Sequence, residues 1–297
     1  MKDNHPSAII SNVQRFSTED GPGIRTTVFF KGCPLRCPWC HNPEGLSRRP
    51  QLAWREARCI GCGECRKVCP HGAPLPGQSD KCEVCGRCAE ACPTIAREII
   101  GRVVTSEKLA DEVARDRVFF GEDGGVTASG GEAALHAEFL LRFFDLCRAQ
   151  HIHIALDTSG AVPGDTFEEL LRHVDLVLYD LKLLDEERHR EIIGAPLAVI
   201  LDNLKLLCAS GVPFWVRFPV VSGYTDDDDN VRALGLLLQG NKGLKRVDLL
   251  PFHQLGRSKY TALGMAYSLS GIAPPPEERL REIREILLKC GLPVSAP

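Results

Sequence analysis

The sequence predicts an α/β fold, a largely parallel sheet built from consecutive βα units, with a small cysteine-rich segment inserted in the first unit. Three observations predict it. Short apolar or β-branched runs alternate with stretches of helical periodicity. Each run ends in a polar or glycine-rich cluster. All but three of the 14 cysteines fall between Cys33 and Cys92. With 297 residues and 44% hydrophobic content, the chain can bury one large domain and carry a small insertion.

Six runs read as strands: Thr26 to Lys31, Gly125 to Ser129, Ile152 to Asp157, Leu176 to Leu181, Phe214 to Val221 and Arg246 to Pro251. Between them Leu140, Phe143, Phe144 and Cys147 recur at helical spacing, as do Phe167, Leu170, Leu171 and Val174, and then Ile200, Leu204 and Leu207. These are the core faces of outer helices. The acidic run Asp226 to Asp229 precedes Val231, Leu234 and Leu238, so it reads as the solvated first turn of a helix, where carboxylates favour the helix dipole. A last helix, opened by Pro274 to Pro276, carries Leu280, Ile283, Leu287 and Cys290 on one stripe. Cys147, Cys208 and Cys290 lie on apolar stripes and read as inert core residues.

The cysteines carry the chemistry. Cys33, Cys37 and Cys40 follow the first strand as C-x3-C-x2-C, with Trp39 just before the third. A 4Fe-4S cluster that only carries electrons takes four thiolates, so three ligands on a tight loop would leave one iron open to a substrate. The rival is a zinc site completed by His41. Farther on, Cys59, Cys62, Cys65 and Cys69 spell C-x2-C-x2-C-x3-C-P, and Cys82, Cys85, Cys88 and Cys92 spell it again. Two such runs make a two-cluster ferredoxin module, in which the fourth cysteine of each run ligates the other cluster. That groups Cys59, Cys62, Cys65 and Cys92 at one cluster and Cys82, Cys85, Cys88 and Cys69 at the other. The module divides the chain into 1–57, an insertion at 58–99, and 100–297. A disulfide framework would need a signal peptide, and Met1 to Phe16 has no apolar core of one. Zinc ribbons separate their cysteine pairs more widely.

Strand ends decide where the site lies, because catalytic groups of parallel barrels collect at the C-terminal ends of strands. The first strand ends in the cysteine loop. The others end in Ser129-Gly130-Gly131-Glu132, Asp157-Thr158-Ser159-Gly160, Asp180-Leu181-Lys182, Arg217 with Phe218-Pro219, and Pro251-Phe252-His253. Two glycines let backbone approach a ligand closely, and a carboxylate can accept hydrogen bonds from an ammonium group. The net charge of -3 and a pI near 6.3 argue against a nucleic-acid surface, which would normally be basic. No apolar run approaches the ~18 residues of a membrane span. Cysteines that must stay reduced to bind iron point to the cytoplasm.

The stretch Asp20-Gly-Pro-Gly-Ile-Arg-Thr-Thr-Val-Phe-Phe-Lys-Gly-Cys33-Pro-Leu-Arg-Cys37-Pro-Trp-Cys40-His-Asn-Pro-Glu44 resembles the signature of glycyl-radical-enzyme activating enzymes, in the radical S-adenosylmethionine (SAM) superfamily. The likeness continues through Ser129 to Glu132, Leu178 to Lys182, and Leu249 to Gly256, so it covers nearly the whole chain. It implies a partial (β/α)6 barrel of the TIM type with an inserted two-cluster ferredoxin-like domain. It implies three 4Fe-4S clusters, one of which binds SAM, and a 5′-deoxyadenosyl radical that takes hydrogen from a glycine of a separate glycyl radical enzyme. By the same resemblance Cys33, Cys37 and Cys40 are catalytic. Trp39, Cys40 and His41 line the SAM site. Gly130, Gly131 and Glu132 hold its amino group. Asp157, Asp180, Leu181 and Lys182 sit near it, Arg217 reaches its carboxylate, and His253 lies by the ribose or adenine. Members with two extra clusters act on dehydratases, decarboxylases, carbon–nitrogen or carbon–sulfur lyases, or enzymes adding hydrocarbons to fumarate, with a low-potential reductant such as flavodoxin or ferredoxin.

The sequence departs from that pattern at Ile193-Gly194-Ala195-Pro196-Leu197, where an asparagine is usual, and at Ser222, where proline is frequent before Gly223. The turn Asp20-Gly21-Pro22-Gly23 either receives the partner's glycine loop or is a simple turn. Rival functions are a radical SAM enzyme acting on a small molecule or another peptide, a ferredoxin-like electron carrier, and a zinc-dependent interaction module.

Overall fold

A computed structural model describes residues 5–76 and 81–295. Its strands are β1 (Ser7–Ser17), β2 (Arg25–Phe30), β3 (Gln51–Trp54), β4 (Arg97–Ile100), β5 (Arg102–Thr105), β6 (Gly125–Gly130), β7 (His153–Thr158), β8 (Leu176–Asp180), β9 (Phe214–Val220) and β10 (Leu244–Pro251). Eight form one sheet in the order β10-β9-β8-β7-β6-β2-β1-β5, and β3 pairs with β4 separately. All six strands read from the sequence form, side by side in chain order and parallel, with Thr27 opposite Thr127, Thr158 opposite Tyr179, and Arg217 opposite both Asp180 and Asp248. The interiors of β6 and β8 are buried on both faces, as parallel strands covered on both sides must be, whereas β9 alternates buried and half-buried residues.

The helices bury the faces their periodicity predicts. Ala137–Arg148 buries Phe139, Leu140, Phe143, Phe144 and Cys147, and Leu197–Ser210 buries Ile200, Leu204 and Leu207. The acidic run caps the helix Asp228–Leu238, where the Asp227 side chain accepts from the Asn230 N–H. Arg188 and Arg279 pair with Asp227 and Asp228, so this face is ion-paired as well as solvated. Cys147 is buried, and Cys208 and Cys290 are partly buried against the same core. Among the described residues no single helix is long and apolar enough to cross a membrane. The one bent pair that fits by length and composition breaks by 109° between Ile193 and Leu197.

The sequence reading missed β1 and β5. Both are antiparallel to their neighbours and lie at the margin of the sheet, where β1 covers the edge that β2 would otherwise expose. In β1 only Ala8, Ile10 and Ser17 are buried, so no apolar run betrays it. The β3–β4 ladder, extended by the Arg55 N–H to the Ala96 carbonyl at 2.7 Å, closes the cysteine-rich stretch into a loop with a two-stranded neck. That stretch holds two short helices, Glu64–Val68 and Arg87–Glu90, and residues 77–80 within it lie outside the described residues.

Candidate active site

The C-terminal ends of the parallel strands meet at a cavity of about 220 Å³ lined by Cys33, Cys37, Trp39, Cys40, His41, Gly130, Gly131, Asp157, Asp180, Lys182 and Arg217. Three candidates stand apart. The Glu132 carboxylate is buried and closed over, because Oε1 accepts from Thr158 Oγ1 at 2.5 Å and the Ala134 N–H, and Oε2 from the N–H and Oγ of Ser159 at 2.9 and 2.6 Å. It has no lone pair left facing the cavity and instead fixes the loop after β7. Leu181 is core, and His253 stands behind His41 with ring centroids 4.1 Å apart.

The cysteine loop is pinched at its base. The Gly32 N–H donates to the Gly45 carbonyl and the Glu132 N–H to the Gly32 carbonyl, both at 2.7 Å. A Cβ on Gly131 would lie 2.3 Å from the Gly32 oxygen and 2.5 Å from that of Gly45, so glycine there lets the loop close. The segment after β10 braces the outside. Lys259 Nζ contacts Glu44 Oε1 at 2.7 Å and Asn42 Oδ1 at 2.9 Å, and the Tyr260 hydroxyl donates to the Cys40 carbonyl at 3.1 Å. On the inner side the Arg36 N–H donates to the Ile193 carbonyl at 2.7 Å, and Ile193 and Ala195 pack with Leu35 and Cys37. The departure at Ile193 to Leu197 therefore supports the loop by backbone and apolar contact.

Burial pushes the Cys33 and Cys40 thiols up to about 12 and raises Cys37 as well. Such thiols stay protonated until a metal centre claims them as thiolates. Among the described residues no three His, Cys, Asp or Glu side chains converge as tightly as a single metal ion requires. A cuboidal cluster spreads its ligand sulfurs more widely than one ion does.

Opposite the cysteines lies a charge network. Arg217 Nη1 stands 3.2 Å from Asp157 Oδ2 and 3.4 Å from Asp20 Oδ1, and Lys182 Nζ lies 3.0 Å from Asp180 Oδ2. Both cations are held well above their usual range by these carboxylates, against the pull of burial. Three carboxylates thus face two cations. The surplus shows at Asp157, which burial, opposed by Arg217 but reinforced by Asp180 and Asp20, raises to about 7. Among the described residues Asp157 Oδ1 is buried without a hydrogen-bond partner. Cationic ligands are favoured here. Asp20 was not picked as a site residue from the sequence, because aspartate before glycine reads as a turn. It is buried, accepts from Ser17 and Thr27, and reaches the cavity from the far end of β2.

In the cysteine-rich stretch, Cys59, Cys62 and Cys65 line a separate cavity with Cys92 of the second run. Cys88 lies close enough to Cys69 and Cys82 for their charges to act on it, and Cys85 is exposed.

The radical SAM superfamily model matches residues 27–234. The chain is 40% identical to the trans-4-hydroxy-L-proline dehydratase activating enzyme of Clostridioides difficile, covering 94% of this chain and 95% of the relative. It is 41% identical to the benzylsuccinate synthase activating enzyme of Thauera aromatica, covering 97% and 92%, and 38% identical to the pyruvate formate-lyase 2-activating enzyme of Escherichia coli K12, covering 97% and 92%. A crystal structure of a domain of pyruvate-formate lyase-activating enzyme from Bacteroides vulgatus superposes with a TM-score of 0.50 at 29% identity, over 58% of this chain and 98% of that one. The chain belongs to the radical SAM superfamily and, within it, to the glycyl-radical-enzyme activating enzymes. It is an enzyme that uses a 4Fe-4S cluster and SAM.

Proposed function

We propose that the chain installs a glycyl radical on a partner of the dehydratase, decarboxylase, lyase or fumarate-adding type, using three 4Fe-4S clusters, and that it works in the cytoplasm with a flavodoxin- or ferredoxin-like reductant. The observation that carries the reading is the cavity where three cysteines face a buried network of three carboxylates and two cations, with one Asp157 oxygen unpartnered among the described residues. SAM suits it, since its sulfonium, ammonium and carboxylate sum to one positive charge. When bound, the cluster supplies the electron that splits SAM into methionine and the 5′-deoxyadenosyl radical.

The chain's own residues bind, orient and keep water out. Cys33, Cys37 and Cys40 would hold the cluster through three thiolates. Gly130 and Gly131 offer backbone to the methionine end. Asp157 and Asp180 receive the ammonium group, a role first expected of Glu132, whose part is to position Thr158 and Ser159. Arg217 is engaged by two carboxylates and so orients them as well as meeting the SAM carboxylate. Trp39, buried against Tyr224 with ring centroids 5.8 Å apart, closes one side against solvent.

The sheet is read as a partial barrel. In a flat sheet β2 and β10 would lie about 24 Å apart at ~4.8 Å per strand, yet His41 after β2 stacks on His253 after β10 at 4.1 Å. The insertion, residues 58–99 above the neck, is read as the two-cluster ferredoxin unit. Its support is the crossed grouping of Cys92 with the first run and of Cys69 with Cys82 and Cys88. Anaerobic reconstitution tests this: about 12 irons per chain are expected. A plateau near four would remove the ferredoxin reading, and a plateau near eight that is unchanged when Cys33, Cys37 and Cys40 are all replaced by alanine would remove the cluster at the strand-end cavity.

Asp157 gives a pH signature. Its carboxyl, raised to about 7, must ionise to meet a cation. SAM affinity should therefore rise as pH increases through about 7, and binding below that pH should release a proton. Calorimetry in buffers of different ionisation enthalpy would report the release, and Asp157→Asn should abolish it. Equal proton release from both proteins would exclude Asp157 as the group.

A further inference from the structure

Arg97 stands at the root of the insertion, on β4, and is only 5% exposed. Its guanidinium donates to the carbonyls of Ala73 at 2.7 Å and Pro74 at 3.0 Å, and Nη1 lies 4.0 Å from Cys88 Sγ. The same residue lines the cavity of Cys59, Cys62, Cys65 and Cys92, and the N–H of its neighbour Ala96 donates to the Cys92 sulfur at 3.2 Å. Arg97 therefore stands between both groups of cysteines, lining the cavity of one and turning its charge toward the other. Among the described residues no carboxylate forms an ion pair with it. A buried cation lacking such a partner is costly unless something anionic meets it. A four-thiolate 4Fe-4S centre is anionic, and gains a further negative charge when it accepts an electron.

We propose that Arg97 sets the two ferredoxin-type clusters apart in potential, donating to the Cys69, Cys82, Cys85 and Cys88 set and making that cluster the more readily reduced. The proposal rests on the ferredoxin reading of the insertion. Hydrogen bonds to cluster sulfurs and nearby charge are among the protein's controls on potential, and a charge in a poorly solvated site acts more strongly than one in water. The step is a one-electron transfer from a dithionite-class reductant to the cluster, with no bond made or broken.

The test is a redox titration of the anaerobically reconstituted full chain, using dithionite with viologen mediators and read by electron paramagnetic resonance (EPR), with iron counted beside it. In the native protein the two insertion clusters should titrate separately. In Arg97→Gln, at the native midpoint of the more readily reduced cluster, its ratio of reduced to oxidised form should fall at least tenfold, which is 59 mV for a one-electron couple. The other two clusters should move less, and Arg97→Lys should recover part of the shift. If the glutamine variant loses iron, Arg97→Met takes its place. Unchanged midpoints at full iron content would overturn the proposal. So would loss of insertion iron from both uncharged variants, which would make Arg97 a strut alone. A native chain holding only four irons would instead overturn the ferredoxin reading, and this proposal with it.

Discussion

Replacing Cys37 with alanine should reduce SAM cleavage to the background of iron-free protein, whatever the reductant. Cys37 lies in the cavity beside Lys182 and Asp180 and packs with Leu35, Trp39 and Ile193, so its loss removes a ligand without opening a large hole. Two remaining thiols cannot hold a cluster that keeps one iron free. The comparison that gives the result meaning is Cys62→Ala. Cys62 is exposed in the cysteine-rich stretch and lines a cavity separate from the strand-end one. That variant should still bind SAM and should lose electron delivery from a protein donor, while a small strong reductant restores part of the turnover. Quantifying 5′-deoxyadenosine with dithionite and with a flavodoxin-type donor separates the two. Equal and complete loss in both variants, with the Cys33, Cys37 and Cys40 cluster intact in Cys62→Ala, would mean that the insertion is more than a relay.

The largest effect on stability is expected at Arg217. Arg217→Met leaves Asp20 and Asp157 facing each other in a buried site without their cation. Removing one partner of a buried ion pair costs about 3–5 kcal/mol, or roughly 6–20 °C in Tm at ~2–4 °C per kcal/mol for a protein of this size. The pH dependence fixes the cause. Asp157 already has a folded-state pKa raised to about 7, and without Arg217 it rises further, so acid relieves the repulsion by protonating the carboxyl. The gap in Tm between variant and native protein should narrow as pH falls from about 8 to about 6. Calorimetric scans across that range would show it. A gap that stayed constant would assign the loss to packing of the arginine stem.

The parallel strands were legible because each is a short apolar or β-branched run closed by a chemically distinct end. That same regularity made most of the cavity legible, since Asp157, Asp180, Lys182 and Arg217 all sit at strand ends. Glu132 stands outside the cavity lining for a physical reason. Its position beside two glycines suggests a ligand hook, but only the fold reveals that Thr158 and Ser159 fill its hydrogen-bonding capacity. Asp20 and the brace of Lys259 and Tyr260 were illegible because they reach the site from about two hundred residues away, through turn chemistry and a short helix that leave no periodic trace. Arg97 has no motif of its own, and its place between two cysteine sets depends on the β3–β4 neck.

The central claim, that this chain activates a glycyl radical enzyme, is tested most directly by EPR of the reduced protein mixed anaerobically with SAM and a candidate partner of the proposed classes. A glycine-centred doublet on the partner is expected, absent when the partner's target glycine is alanine even though SAM cleavage continues. Alone, the chain should cleave SAM slowly. The contrary result would be turnover stimulated by a small metabolite, with 5′-deoxyadenosine formed one for one and no protein radical on any such partner.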